Sequence, residues 1–237
     1  MSSRHHLLVF GGSGAIGGAV VHAALARGWQ VTSASRSMPD PVPANINFLA
    51  MDPLASHSFQ DGLAAFAPYS SVCWAQGANA NDSIYDFDLD QHDAIYRANC
   101  TYILVTLNAL LKHGLLAPNS RLCVISSIWQ NLARQSKLSY CMSKAALQGL
   151  VLSASADLGK DGHLINAVLP GALDTPMTRR NLTAEQVETL SQATEHKRLV
   201  TLDEVASLTC FLCSAENSGV TGQFIAADLG FSRVRLL

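Results

Sequence analysis

The sequence predicts an α/β protein in which a parallel sheet of about seven strands carries helices on both faces. Short apolar runs alternate with segments of helical periodicity along the chain. A glycine-rich segment joins the first apolar run to the first helical segment. No internal repeat or linker interrupts this alternation, and 237 residues suit one large α/β domain. We therefore expect a single domain over residues 1–237.

The elements follow in order from this alternation. Residues 7–10 are uniformly apolar and predict the first strand, and residues 15–27 have helical periodicity that ends at Gly28. Further strands are predicted at residues 30–35, 47–51, 71–75, 122–125, 164–169 and 223–226. Further helices are predicted at residues 91–113, 137–159 and 203–214.

Two segments depart from this pattern. Residues 37–43 are rich in proline and predict a surface loop rather than a domain boundary. Residues 176–200 are polar and contain no predicted strand, although Thr183 begins a stretch typical of a helix start. An insertion between a strand and the next helix is a good position for a mobile substrate lid, and we assign that role to residues 176–200.

Composition excludes several functional classes. The formal net charge is −2, so the chain lacks the basic footprint of a nucleic-acid-binding protein. It contains no apolar stretch near 18 residues and no cleavable signal segment, so we expect no membrane association and a cytoplasmic location. Most of the six cysteines lie in apolar runs, which favours buried, reduced thiols. Cys210 and Cys213 form a C-x-x-C in an apolar helix without a second pair, so no metal site is expected.

The glycine-rich segment lies where the first strand turns into the first helix. Glycines permit positive φ in such a turn and allow the backbone to approach a pyrophosphate, which the helix N-terminus then attracts. Any tight strand-to-helix turn could use glycines, but this position favours dinucleotide binding. The predicted phosphate-binding residues are Gly11, Ser13, Gly14, Ala15, Ile16 and Gly17.

Ser35 and Arg36 follow the second strand, where a carboxylate would select NAD by binding its ribose hydroxyls. No acid occurs there. Arg36 can donate several hydrogen bonds to a phosphate and Ser35 one more, so we predict NADP(H), with NAD(H) as the second choice. The alternative is that Arg36 is an ordinary solvated arginine. Asp52 follows the third strand and could accept a hydrogen bond from an adenine amine, or equally cap the turn before Pro53.

Tyr140 and Lys144 are four residues apart on a predicted helix and therefore share one face. A phenol has a pKa near 10 and would need to fall by roughly three units to act at neutral pH. A nearby ammonium supplies part of that shift. Ser127 ends the fifth strand and could hold a substrate oxygen. Alone, Tyr140 would be interpreted as a half-buried aromatic and Lys144 as a solvated charge. Together with Ser127 and the glycine loop, they predict proton transfer to a carbonyl oxygen.

These motifs resemble those of the short-chain dehydrogenase/reductase family, in its compact single-domain branch with a Rossmann-type fold. The cofactor signature T-G-x-x-x-G-x-G corresponds to residues 10–17, with Phe10 replacing Thr and Ala15 replacing the middle Gly. The signature Y-x-x-x-K corresponds to residues 140–144. The resemblance covers nearly the whole chain.

The resemblance implies further roles. The family's catalytic serine and asparagine fall on Ser127 and Asn99, and the asparagine is thought to hold a water that links Lys144 to solvent. The segment after the sixth strand implies cofactor contacts by Pro170, Gly171 and Thr175, the last at the nicotinamide end. The family's N-N-A-G becomes Trp74-Ala75-Gln76-Gly77, which keeps only the glycine as a cofactor-binding residue.

The resulting functional prediction is an NADP(H)-dependent oxidoreductase that interconverts a ketone and a secondary alcohol, with a small-molecule carbonyl or alcohol as its substrate. The predicted substrate pocket includes Trp129, Met177 and Leu182. The alternative is a catalytically silent dinucleotide-binding regulator or scaffold. The resemblance also implies a homodimer or homotetramer formed through helices 91–113 and 137–159.

Overall fold

The computed structural model describes residues 4–37, 45–55, 59–175, 178 and 182–234. Its strands are β1 (His6–Phe10), β2 (Gln30–Ser35), β3 (Ile46–Ala50), β4 (Tyr69–Trp74), β5 (Leu116–Ile125), β6 (Leu164–Pro170) and β7 (Phe224–Ala227). The helices we number within the described residues are α1 (Ala15–Ala26), α2 (Phe59–Ala64), α3 (Leu89–Tyr96), α4 (Tyr102–Lys112), α5 (Leu138–Leu158), α6 (Ala184–Gln192) and α7 (Leu202–Cys213). A π-helical turn at Arg97–Thr101 joins α3 to α4, and 3-10 turns occupy Ile128–Gln130 and Gly159–Asp161.

All seven strands pair in parallel, in the order β3-β2-β1-β4-β5-β6-β7. The chain runs outward from β1 to β3 on one side and from β4 to β7 on the other. The direction of winding therefore reverses between β1 and β4, and a crevice opens at the carboxyl end of the strands at such a point. This topology confirms the predicted fold class.

The two faces of the sheet bury separate apolar clusters, because successive side chains of a strand point to opposite faces. Leu8 and Phe10 of β1 join one cluster with α2, α4 and α5. Leu7 and Val9 join the other with α1 and α7. None of the helices in the described residues is both long and apolar enough to cross a lipid bilayer.

The predicted helix 91–113 is two helices separated by the π-helical turn. π-Helical turns often occur at functional sites, and this one carries Asn99. Helix α2 was not predicted, since it has only six residues and includes Gly62. The structure explains that glycine, because a Cβ there would lie 2.6 Å from Leu49 Cδ1. The short helix therefore depends on close tertiary packing against β3.

The predicted helix start at Thr183 is confirmed. The Thr183 hydroxyl accepts a hydrogen bond from the Gln186 backbone, and the Gln186 side chain accepts one from the Thr183 backbone. Thr201 and Glu204 form the same capping box at α7. A hydrogen bond from Arg198 is the main cause that lowers the pKa of Glu204 to about 2. Capping boxes satisfy helix N–H groups that otherwise lack partners.

Two histidines near the amino ends of the strands predict a pH-dependent stability. His6 Nε2 is hydrogen-bonded to Thr32 Oγ1 at 2.9 Å, and His5 Nε2 to Ser71 Oγ at 2.8 Å. Burial lowers the pKa of both imidazoles below that of an exposed histidine. The unfolded chain therefore binds more protons, so stability is lost as pH falls below about 6.5. Urea unfolding at pH 7, 6 and 5 measures this loss.

The variant His6→Gln should weaken that dependence without abolishing it, because His5 and His163 also have pKa values that burial lowers. His22 on α1 is exposed and provides the matched control, His22→Gln. An equal pH dependence in His6→Gln and His22→Gln would contradict the assignment.

Candidate active site

The predicted site residues meet at the carboxyl edge of the sheet. The glycine loop follows β1, Gly77 lies just after β4, and Ser127 lies just after β5. Ser35 ends β2, and Asp52 follows β3 at the same edge. Parallel pairing brings these strand ends together, although they are far apart in sequence.

Gly11 and Gly17 of the glycine loop leave no room for a side chain. Gly11 has φ +78°, and a Cβ at this residue would lie 2.6 Å from the backbone nitrogen of Gln76. A Cβ at Gly17 would lie 2.2 Å from the Gly11 carbonyl oxygen. Side chains at these positions would push apart β1, β4 and α1, so the loop admits only glycine there.

The same loop presents a helix N-terminus to solvent. Ser13, Gly14 and Ala15 are exposed, and Ile16 is half-buried. Helix α1 begins after Gly14 without a side-chain cap and has no acid in its first turn. Its first N–H groups are therefore available to an anion, and the helix dipole favours one. These features fit the pyrophosphate of a dinucleotide.

The residues after β2 and β3 lie beside this loop. Ser35 Oγ accepts a hydrogen bond from the Ser13 backbone N–H at 3.1 Å, so it is tied to the glycine loop. Arg36 is exposed. Asp52 Oδ1 accepts a hydrogen bond from the Leu54 backbone N–H at 3.0 Å, which is the turn cap named as an alternative. Its second oxygen keeps acceptor capacity.

The loop after β6 closes the other side of the crevice. Gly171 N–H donates to the Ala227 carbonyl at 2.9 Å, and a Cβ at Gly171 would lie 2.9 Å from Asp228 Cβ. Pro170 ends β6 and is buried. Thr175 Oγ1 accepts from the Thr178 backbone N–H at 3.1 Å. These contacts hold Gly171 against the end of β7 and Thr175 against Thr178.

Ser127, Tyr140 and Lys144 are brought together between β5 and α5. Ser127 lies close enough to the Tyr140 phenol to act on its pKa, and Ser127 Oγ accepts a hydrogen bond from the Trp129 backbone N–H at 3.3 Å. Lys144 Nζ lies 5.7 Å from the centroid of the Tyr140 ring and donates a hydrogen bond to the Ile125 carbonyl at 3.0 Å. A serine, a phenol and an ammonium thus share one small volume, as a proton-transfer site at a carbonyl oxygen requires.

Burial shifts the two titrating groups in opposite directions. It raises the pKa of Tyr140 above that of a free phenol, and the hydrogen bond from Ser127 opposes this effect. Burial also lowers the pKa of Lys144 to about 8. The raised pKa of Tyr140 keeps its phenol protonated at neutral pH. The sequence predicted a phenol acidified by the neighbouring ammonium, whereas burial raises the pKa of Tyr140 instead and Lys144 is not among the causes of its shift.

Asn99 is buried, and both its amide oxygen and its amide nitrogen form hydrogen bonds with neighbouring segments. Its Oδ1 accepts from the Ala78 N–H at 2.7 Å, and its Nδ2 donates to the Ala78 carbonyl and to Ser143 Oγ at 3.0 and 2.8 Å. Ser143 Oγ in turn donates to the Tyr140 carbonyl at 2.8 Å. A Cβ at Gly77 would lie 2.9 Å from Asn99 Oδ1, so the glycine is needed for this contact.

The structure thus gives the Asn99 side chain a positioning role that links the β4 loop to α5. Sequence reasoning missed Ser143, because a serine inside a helix gives no signal of its own.

The structure accounts for Trp74, where the family pattern has asparagine. The indole is fully buried, stacks on Phe10 at a ring-centroid distance of 5.8 Å, and donates from Nε1 to Thr106 Oγ1 at 2.8 Å. Trp74 is therefore a core residue under the sheet. Gln76 Nε2 makes a long bond to the Ala98 carbonyl at 3.5 Å, whereas the buried Gln76 Oε1 has no hydrogen-bond partner among the described residues. Gln76 therefore makes few of the hydrogen bonds that the asparagines of the family pattern would make.

A cavity of about 600 Å³ opens in this part of the protein. Trp129 and Leu182 both line it, as expected of substrate-pocket residues. Met177 lies outside the described residues, as do residues 176 and 179–181 of the proposed lid. Arg134 and Lys137 also line the cavity and were missed. The polar, basic stretch between Ser127 and Tyr140 is the sequence feature that could have identified these two residues.

The cysteines and acidic residues form no second site in the described parts of the chain. Cys73, Cys123, Cys210 and Cys213 are free, fully buried thiols in the apolar cluster against α1 and α7. Burial raises the pKa of Cys210 to about 11, so this thiol is inert at neutral pH. The described residues contain no group of three or more histidine, cysteine or acidic side chains that could hold a metal ion.

Comparison with known proteins identifies related sequences. The sequence model of the family described as "Enoyl-(Acyl carrier protein) reductase" matches residues 69–232. The chain is 35% identical to (-)-isopiperitenol/(-)-carveol dehydrogenase of Mentha piperita over 67% of its own length and 62% of that protein. It is 25% identical to 3-oxoacyl-[acyl-carrier-protein] reductase of Salmonella typhimurium over 96% of its own length and 97% of that protein.

The matched region spans 45% of the length of one curated relative and 97% of the length of another. Among solved structures, a short chain dehydrogenase family protein from Francisella tularensis superimposes with a TM-score of 0.88 at 22% identity, over 97% of this chain and 99% of the other. That similarity concerns the fold alone.

Proposed function

The chain belongs to the short-chain dehydrogenase/reductase family of oxidoreductases, and on that premise we propose that it interconverts a ketone and a secondary alcohol with NADP(H). The observation that carries the proposal is the Tyr140 ring beside the buried ammonium of Lys144, at 5.7 Å from its centroid to Nζ, with Ser127 close enough to act on the pKa of the phenol. The names of the two relatives, a dehydrogenase and a 3-oxoacyl reductase, support this class of reaction.

Each side chain has a defined task in this proposal. A reduced nicotinamide, when bound, supplies the hydride. Ser127 donates a hydrogen bond to the substrate carbonyl oxygen, and Tyr140 gives that oxygen a proton as the carbon is reduced. Lys144 stabilises the resulting phenolate by its charge, and its bond to the Ile125 carbonyl fixes its position. In the oxidation of an alcohol, Tyr140 takes the proton back.

The glycine loop and the strand ends would hold the dinucleotide. The exposed N-terminus of α1 suits the pyrophosphate, and Thr175 suits the nicotinamide end. Ser35 and Arg36 favour a 2′-phosphate, because no carboxylate ends β2 to repel it. NADP(H) is therefore the proposed cofactor, and NAD(H) is the second choice.

The variant Arg36→Asp should reverse the cofactor preference. It removes a phosphate donor and adds a carboxylate that repels the phosphate and accepts from ribose hydroxyls. We expect the ratio of kcat/KM for NADPH to that for NADH to fall by about a hundredfold, since charged hydrogen bonds and repulsion act in the same direction. Steady-state kinetics with both cofactors measure this ratio.

Lys160→Asp provides a charge-matched control, because Lys160 is exposed before β6 and distant in the fold from the carboxyl edge. A preference that stays the same in Arg36→Asp would refute the assignment of Arg36.

The proposed function is tested by NADPH consumption with a panel of ketones, to which an enoyl thioester is added because of the matching family's name. Turnover of a ketone supports the proposal, whereas turnover of the enoyl thioester alone would replace it. Tight NADPH binding without any turnover would support the alternative, a catalytically silent regulator or scaffold.

We further propose a cytoplasmic homodimer or homotetramer that assembles through α3–α4 and α5. Large apolar side chains are exposed on these helices, namely Leu104, Leu111, Met142 and Leu152. Exposed apolar groups on neighbouring helices are typical of a subunit interface. The six free cysteines suit a reducing compartment. Light scattering of the purified protein measures the oligomer size.

A further inference from the structure

The cavity of about 600 Å³ is basic as well as polar. Arg134 and Lys137 are the two charged residues among its described lining residues, and none of these is acidic. We propose that this cavity binds a carbonyl substrate with an anionic group of its own, a carboxylate or a phosphate, and that Arg134 and Lys137 hold that group. This inference rests on the proposed ketone–alcohol function and specifies its substrate class.

The ammonium of Lys137 is held in place by neutral acceptors. Its Nζ donates to Asn79 Oδ1 at 2.9 Å and to the Ala80 carbonyl at 3.2 Å. The charge of Asp82 reaches Lys137, but both carboxylate oxygens of Asp82 accept from the Ser139 backbone N–H, at 3.1 and 3.2 Å. An ammonium has three N–H groups, so one remains for a ligand. Its charge is only partly balanced.

Arg134 forms no ion pair with any residue that the structure describes. Its guanidinium carbon lies 5.7 Å from the centroid of the Trp129 ring, which orients the group along the cavity wall. A guanidinium presents five donors in a planar fork that matches a carboxylate or a phosphate. The side chain is therefore oriented, charged and free to bind an anion.

The two cations are also coupled to the reaction centre and to each other. Arg134 lies over the ring of Trp129, and the Trp129 backbone N–H donates to Ser127 Oγ at 3.3 Å, so the guanidinium lies beside the reaction centre. Burial is the main cause that lowers the pKa of Lys137, and the charge of Arg134 acts in the same direction, so the two cations repel each other. An anion between them would relieve that repulsion. Its carbonyl would then extend toward Tyr140.

The loop that carries both cations is fixed in the fold. Ser136 adopts φ +58°, a left-handed conformation that is uncommon outside glycine and clusters at functional sites. The Ser136 carbonyl accepts from the Asp82 N–H, and the Asp82 carbonyl accepts from the Leu138 N–H, each at 3.3 Å. The loop is thus bound to the β4–α3 connection before any ligand arrives, which lowers the cost of ordering it.

Matched pairs of carbonyl compounds test the proposal: acetoacetate with its methyl ester, levulinate with its methyl ester, and dihydroxyacetone phosphate with dihydroxyacetone. In each reaction NADPH transfers a hydride to the carbonyl carbon and a proton reaches the oxygen, which yields the alcohol and NADP⁺. We expect at least one anion to have a kcat/KM about tenfold to a hundredfold above that of its neutral partner, as charged hydrogen bonds supply. The first two pairs report on carboxylates and the third on phosphates.

Variants assign this preference to the two cations. Arg134→Gln and Lys137→Gln should each reduce the anion-to-neutral ratio by about tenfold, mainly through KM. Lys160→Gln removes one exposed positive charge elsewhere and should leave the ratio unchanged. Equal rates for charged and neutral partners in the wild-type protein, or a ratio that Arg134→Gln does not lower, would overturn the proposal.

A binding measurement separates this inference from the proposed function. Trp129 contacts the same cavity, so its fluorescence should change on titration with malonate, a dicarboxylate that cannot turn over, and Arg134→Gln should weaken that response. Trp129→Phe identifies the signal from this tryptophan. Malonate binding without turnover of any ketone would refute the proposed function and leave the anion site standing. Ketone turnover without any preference for anions would support the proposed function and refute the anion site.

Discussion

Replacing Tyr140 by Phe is expected to lower kcat/KM for a ketone by about a hundredfold to ten-thousandfold, the range that a positioned acid or base contributes. The change removes only the phenolic hydroxyl, which lies near Ser127. Lys144 keeps its bond to the Ile125 carbonyl, so the fold and the nucleotide crevice should persist. Steady-state NADPH consumption measures the loss, and fluorescence titration shows whether NADPH still binds.

Tyr96→Phe is the matched control, because Tyr96 is an exposed tyrosine at the end of α3. Tyr96→Phe should retain wild-type turnover. A Tyr140→Phe variant that reduces ketones at the wild-type rate would exclude Tyr140 as the proton donor, and with it the proposed mechanism.

Trp74→Asn is expected to destabilise the protein by about 3–5 kcal/mol, although it restores the residue of the family pattern. It would leave a cavity beside Phe10 and place an amide among apolar side chains, where the Thr106 hydroxyl is the nearest established partner. The loss of stability comes from the core alone, because the contacts described for the indole are with Phe10 and Thr106 and none is with the crevice. Urea unfolding followed by circular dichroism measures the change.

Trp74→Phe keeps most of the volume and loses only the indole N–H, so it should cost less than Trp74→Asn. Trp29→Phe is a second control at a half-buried tryptophan. Wild-type stability of Trp74→Asn would mean that this chain tolerates the family residue and that the core packing described here does not select tryptophan.

Local patterns were sufficient for much of this protein. All seven strands were predicted, and the reason is clearest for the central strands β1 and β6, which are buried on both faces and therefore mostly apolar. The start of α6 was predicted because its capping box forms between residues three apart in sequence. Helix α2 and the π-helical turn were missed, since the first depends on packing against Leu49 and the second changes the hydrogen-bond register without changing composition.

The sequence by itself determined the fold class, the glycine loop and the Tyr140–Lys144 spacing, because each depends on neighbouring residues or on one helical turn. Only the tertiary structure decided the burial that sets the pKa of both groups, the contacts of Asn99 and the place of Trp74 in the core. It also decided that Arg134 and Lys137 face one cavity. Those properties arise where parallel strands bring distant segments together, and no local pattern encodes which side chains then meet.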